Sequence, residues 1–374
     1  MVNRLAVLAL AVVLTTLLAT LSARTQAQPL TGSAKDFERA QFDDPTHIDN
    51  RWLPLAPGTQ LVLEGSAIPD EGGRQSRRVV TTVTDLSKVI DGVRTLVIWE
   101  RDFTAGKLSE PELAFFAQDN AGNVWLVGEY PEEYEDGEFD KAPAWISGQK
   151  GARAGVTMPA EPRLGAPDYA QGFAPPPADF TDRARVYKTD QQTCTPVECY
   201  ENVLVTEEFN PPEPGAFQLK YYASGVGNVR VGWRGEKEEE KETLELVELN
   251  HLSPEALAKV RKKALEMDGR AYERSSEVYR ETPPAEHTLR VEDNAGGSAS
   301  ASASASASAS ANASSAPSSI ASPSASSSVS ATSSASTETL PESGGVGTWV
   351  AMAAALALMS CGIGAIALVR RSFT

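Results

Sequence analysis

The chain has 374 residues, 50 of them acidic against 34 Lys and Arg, for a formal net charge of −16. Residues 29–293 alone carry −18, and a surface so negative repels phosphate backbones, so no nucleic-acid partner is expected. Composition shifts sharply at both ends and leaves one region, roughly 35–268, of about 240 residues to bury a core.

Residues 1–27 read as a secretory signal peptide. Arg4 precedes an apolar stretch from Leu5 to Leu21, and Thr25-Gln26-Ala27 offers small residues before a cut at Gln28. An uncleaved N-terminal anchor is the alternative, since this stretch is almost long enough to span a bilayer.

Residues 35–252 are predicted to be mainly β. Short runs of β-branched and aromatic residues lie between turn signals at 59–64, 78–85, 94–103, 113–118, 123–129, 185–188, 201–208, 217–223, 228–233 and 243–249. Asp91-Gly92, Asp119-Asn120-Ala121-Gly122 and Ser224-Gly225 suit hairpin links. The expected architecture is an antiparallel meander forming a barrel, half-barrel or sandwich. In 228–233, period two sets Val229, Val231 and Trp233 opposite Asn228 and Arg230. The Pro- and Gly-rich stretch 142–182 is predicted to be a long surface excursion. Cys194 and Cys199 flank a turn in an exported chain and are expected to form a disulfide.

A helix or stalk is predicted over 253–281, with Ser253 as cap and Pro254 in the first position. Its apolar stripe, Leu257, Val260 and Ala264, is thin, which suggests a docked or projecting stalk rather than a core helix. Residues 282–339 are predicted to be a disordered Ser/Ala-rich linker: 298–337 contain 33 Ser or Ala in 40 positions, with no amphipathic face to pack. Residues 340–374 begin Leu340-Pro341-Glu342-Ser343-Gly344, continue through the uncharged segment 346–369, and carry Arg370 and Arg371 beyond it. Twenty-four residues make a helix of roughly 36 Å, enough to cross a membrane, with the two arginines as the cytoplasmic stop. Cys361 lies within this segment as apolar filler.

This C-terminal region resembles the Leu-Pro-x-Thr-Gly cell-wall sorting signal of Gram-positive surface proteins, with Ser343 where threonine is usual. The resemblance implies that a sortase cuts between Ser343 and Gly344 and joins the Ser343 carbonyl to a peptidoglycan amine. A plain single-pass membrane anchor, never cut, is the other reading. Three further segments resemble an uncharacterised family of secreted bacterial proteins: Asn50-Arg51-Trp52-Leu53-Pro54-Leu55-Ala56-Pro57-Gly58-Thr59, Ala117 to Trp125 with Gly128-Glu129, and Tyr221-Tyr222-Ala223-Ser224-Gly225-Val226-Gly227. That resemblance implies a β-rich secreted domain over about 40–250 and no assigned reaction. A looser likeness of architecture extends to the curved half-barrels of bacterial envelope proteins that handle lipids or lipoproteins.

Chemistry has few candidates. His47, His251 and His287 match no zinc or triad spacing, and neither a metal nor a cofactor is expected. On 94–103, period two places Leu96, Ile98, Glu100 and Asp102 on one face, and Glu129 ends a neighbouring strand. If that face is concave, these acids line an apolar interior. The plainer reading pairs Glu100 and Asp102 with Arg94, Arg101 or Lys107 near a solvated strand end. The acidic run 132–140 reads as a solvated turn rather than a Ca²⁺ loop. Trp125, Tyr130, Tyr134 and Trp145 read as core before they read as sugar platforms. The expectation is a cell-surface, non-catalytic β domain for an unknown extracellular ligand. The alternative is a secreted carboxylate-dependent hydrolase of glycoside type.

Overall fold

A strand is stable only when its backbone donors and acceptors meet a neighbour, so strands of this length must pair in a sheet. The computed structural model describes residues 37–69 and 73–288. In chain order the strands are β1 (Thr59–Ala67), β2 (Gln75–Ile90), β3 (Val93–Thr104), β4 (Lys107–Gln118), β5 (Val124–Pro131), β6 (Glu133–Glu135), β7 (Glu138–Lys141), β8 (Trp145–Ile146), β9 (Arg153–Met158), β10 (Tyr169–Ala170), β11 (Gly172–Phe173), β12 (Arg183–Cys194), β13 (Cys199–Phe209), β14 (Phe217–Ala223), β15 (Gly227–Arg234), β16 (Thr243–His251) and β17 (Glu286–His287). Each predicted strand lies within one of these or overlaps it.

The sheet is antiparallel and follows the order of the chain around a nearly closed barrel. The last long strand returns to the first: β16 pairs β1 from Thr59↔His251 to Ser66↔Thr243. The β2–β3 link is Asp91-Gly92, both at positive φ (49° and 77°), the conformation a two-residue hairpin with the right strand twist requires.

The other closure is narrow. The chain from Tyr169 to Phe173 pairs with β12 through Tyr169↔Ala184 and Ala170↔Arg183, then with β9 through Gly172↔Ala154 and Phe173↔Arg153. This seam corrects the expectation for 142–182. That stretch is not a surface excursion: it contains β8 to β11 and buries Trp145, Ile146, Val156, Met158, Tyr169 and Phe180. Its close packing needs glycine. A Cβ on Gly155 would lie 2.3 Å from the Gly172 nitrogen, and one on Gly172 would lie 2.8 Å from the Phe180 ring.

The disulfide Cys194–Cys199 is formed at the tip of the β12–β13 hairpin. Both strands run out to it, well beyond the predicted 185–188 and 201–208. In β15, Val229 and Val231 are buried as predicted, but Trp233 is 40% exposed and Asn228 is buried. A register shift opposite Tyr221 and Tyr222 lets Asn228 and Val229 both be buried, while Trp233 keeps the phase of Val231 and lies near the strand's end.

Helix α1 (Pro254–Arg274) starts at the predicted cap, with the Ser253 side chain accepting from the Ala256 amide. It is followed by α2 (Ser276–Tyr279). The helix docks through a different stripe from the predicted one: Ala264, Met267, Asp268 and Ala271 are buried, while Leu257 and Val260 are only partly so. They cover the face of β3–β5 formed by Val97, Leu113, Phe115, Val127 and Tyr130. The fold also runs past Glu281, the predicted end of the stalk. Thr282 and Ala285 are buried, and β17 pairs β2 at Glu286↔Ser87 and His287↔Leu86. The 282–339 linker therefore loses its first seven residues to the fold. The signal peptide 1–27, the rest of that linker, the 340–374 sorting signal and Cys361 lie outside the described residues.

The three segments behind the secreted-family resemblance meet at one end of the barrel. The Asn50 amide side chain donates to the Gly122 carbonyl (2.8 Å), the Trp125 indole donates to Asp119 (2.8 Å), and the Gly225 amide donates to the Arg51 carbonyl (2.8 Å). Ile48, Leu53 and Leu55 enter the same core cluster as Leu96, Ile98, Phe116 and Tyr222. The loop before β1 thus plugs the barrel.

Candidate functional site

Glu100, Asp102 and Glu129 all face the barrel interior, where each is at most 5% exposed. Strand period and register put them there: Glu100 pairs Thr81 and Glu112, Asp102 pairs Val79 and Glu110, and Glu129 pairs Ala114 and Trp145. The plainer sequence reading is therefore corrected. Both acids are buried rather than solvated, while Arg94 bonds Glu286, Lys107 lies 3.6 Å from Asp136 and Arg101 stacks over the Trp99 ring.

The sequence reading missed two of the five acids. Glu110 and Glu112 join from β4, so five buried carboxyls come from three consecutive strands. The opposite wall supplies Glu208 from β13 and Lys220 from β14, with 2.8 Å between them and both side chains at most 2% exposed. Thr81 donates to Glu100 (2.5 Å), Trp145 donates to Glu129 (2.8 Å), and Gln171 of the seam donates to Glu208 (3.0 Å).

One lysine cannot neutralise this many acids. Burial, reinforced by Glu129, Glu110, Glu100 and Asp102, holds the Glu112 carboxyl well above the ordinary glutamate range. Burial also raises Glu129 to about 8, against the opposing pull of the Trp145 bond, of Glu112 and of Lys220. Glu112 and Glu129 are within hydrogen-bonding reach of each other. Two carboxyls make such a bond only when one keeps a proton.

A carboxyl that holds its proton at neutral pH can act as a general acid, but a substrate must reach it. Here the plug closes one end. Near the other, Arg77 bonds Glu242 and lies 3.4 Å from Glu240, all largely buried. A small pocket beside Glu100, lined by Leu61, Leu63, Val79, Thr81, Asn228, Val231 and Leu244, has about 10 Å³ of room, enough for one water. A sugar ring does not fit it. Glu112 and Glu129, being in contact, also lack the ~5–10 Å separation that paired glycosidase acids use.

The remaining sequence candidates are structural. Trp125, Tyr130 and Trp145 are buried, and Tyr134 stands against Phe139 with ring centroids 6.0 Å apart. In the acidic run, Glu132 and Glu133 are buried rather than solvated, and Glu132 accepts from Tyr130 (2.6 Å) and Arg270 (2.9 Å). The other acids of that run lie on the exposed β6–β7 hairpin. His47 and His251 are exposed, and His287 lies 3.2 Å from Asp85. Among the described residues, no group of His, Cys, Asp and Glu has the arrangement of a metal site.

Fold and site together define a nearly closed antiparallel barrel with a side-chain-filled, acid-rich interior. No protein-family model and no curated protein matches the chain. Among solved structures, it is similar to a protein from Bacteroides fragilis described as exported and as having a YmcC-like fold. The identity is 14% and the TM-score 0.29, over 53% of this chain and 98% of that one. It is also similar to a protein from Parabacteroides distasonis described as a lipoprotein, at 12% identity and TM-score 0.29, again over 53% and 98%. Likeness this slight carries neither fold nor function across.

Proposed function

We propose that this chain is an exported, surface-tethered and non-catalytic β-barrel module that meets its ligand on its outer face. The observation that carries the reading is the filled interior: the acids that a hydrolase would use are walled in by side chains from both sides of the barrel. The leader-like sequence 1–27 supports export, and the strongly acidic body suits an extracellular module without nucleic-acid partners. The apolar segment 346–369 with Arg370 and Arg371 supports a membrane-spanning end. The sorting-type sequence Leu340-Pro341-Glu342-Ser343-Gly344 adds sortase and peptidoglycan as partners.

The test is muramidase digestion of walls from the organism that encodes the chain. The expected product is released protein carrying peptidoglycan fragments on Ser343. Extraction by detergent alone, with the C-terminus intact, would leave the simple membrane anchor. The hydrolase alternative keeps one favourable observation, the proton retained by Glu129 near neutral pH. Turnover of reporter glycosides by the full chain, abolished in Glu129→Gln, would establish it in place of the non-catalytic reading.

A further inference from the structure

The seam is joined by short backbone ladders, as β15–β16 also is, but here the side chains that tie it reach the acids. It has two residue pairs on each side, whereas β2 and β3 pair from Arg77↔Thr104 to Ile90↔Val93. What strengthens it comes from the interior. Gln171, 1% exposed, ties the seam to Glu208, and Trp145 ties β8 to Glu129 while stacking on Phe180 at 5.1 Å. The Glu129 Oε1 atom is buried and has no donor from the protein, and the group beside it is the Glu112 carboxyl. The closed barrel therefore needs a proton at this point.

We propose that Glu112 and Glu129 form a proton-held latch on the β9–β12 seam, closed while they share a proton and released when both ionise. This is independent of how the chain is anchored. Two adjacent carboxylates in a dry interior repel each other and require water, and a short ladder tied by side chains to those same acids is where water enters at least cost. Every charged or titratable neighbour bears on the balance. Glu100 and Asp102 face the pair from β3, and Glu110 from β4. Glu208 stands on β13, Lys220 and Tyr222 on β14, Tyr169 in the seam and Asp182 just before β12. Arg77 with Glu240 and Glu242 closes the far end. Of these described neighbours, Lys220 and Arg77 are the cations that favour ionisation of the acids, and both already face carboxylates, which limits what they can add.

Hydrogen exchange of the full-length protein across pH 6 to 10, corrected for intrinsic exchange rates, tests this. Peptides covering 153–158 and 169–186 should lose protection above roughly pH 8, by up to about tenfold per pH unit, while β1–β4 and β14–β16 stay protected. In Glu129→Gln the seam's loss should vanish, because the amide can donate to Glu112 and accept from Trp145. Glu112→Gln should behave likewise if the first variant fails to fold. Seam protection that is flat with pH in the wild-type chain, or lost simultaneously in every strand, would overturn the latch. An unchanged pH profile in either folded variant would also overturn it.

Discussion

Two buried charged clusters in this protein solve the same problem in different ways. Under the helix, Lys88 is fully buried and donates to Asp268 (3.0 Å), to the Tyr272 hydroxyl (2.9 Å) and to the Pro283 carbonyl (2.7 Å). Asp268 in turn accepts from Tyr279 (2.9 Å) and from the Ala285 amide (3.0 Å). An ammonium has three protons to give, and here all three are taken. In the barrel, five carboxyls share one side of the interior and a single Lys220–Glu208 pair faces them. The first cluster is neutral as a pair and answers its own hydrogen bonds; the second stays dry only by retaining protons. A satisfied ion pair fastens an element, whereas an excess of one sign makes the element sensitive to pH.

Removing one partner from the satisfied cluster should have the largest effect. Lys88→Met leaves Asp268 buried without its counter-charge and should cost about 3–5 kcal/mol in denaturant unfolding. The helix signal should be lost along with the barrel signal, because Lys88 joins β2 to α1.

The acid-rich cluster should instead make stability depend on pH. The folded pair Glu112–Glu129 keeps its shared proton up to about 8, the value to which Glu129 is raised, while the unfolded chain releases it near the ordinary 4.5. Between those values the folded state binds more protons, so stability should fall as pH rises from about 5 to about 8. Urea midpoints across that range measure the slope, and Glu129→Gln should flatten it. Lys88→Met should leave it unchanged, which separates the two clusters.

At the seam, Gly155→Ala should cost about 1–3 kcal/mol by thermal unfolding, since its Cβ meets backbone rather than a movable side chain. The smallest effect belongs to the helix start. Ser253→Ala removes the side-chain acceptor for the Ala256 amide and should cost about 1 kcal/mol.

Sequence made the long strands legible because each holds enough alternation to show its period. The same period aligned Glu100 and Asp102 with Leu96 and Ile98, and the interior position followed. Glu112 lay one residue outside the predicted strand 113–118, beside Pro111, yet the strand continues through that proline to Lys107. Its phase with Ala114 and Phe116 was the available signal. Glu208 and Lys220 lay within predicted strands, but only register puts them opposite the acids. Trp145 and Gln171 had no local signal, because β8, β10 and β11 are two residues each and exist only through distant partners. The helix stripe was misplaced because Asp268, a charge, lies in its centre, and its partner Lys88 is 180 positions away.

The central claim is that the barrel is dry and keeps protons on its interior acids at neutral pH. Infrared difference spectroscopy of the wild-type chain against Glu129→Gln and Glu112→Gln reads this directly. The account predicts a protonated-carboxyl band at pH 7 that each variant diminishes. A wild-type spectrum at pH 7 with every carboxyl ionised would contradict it.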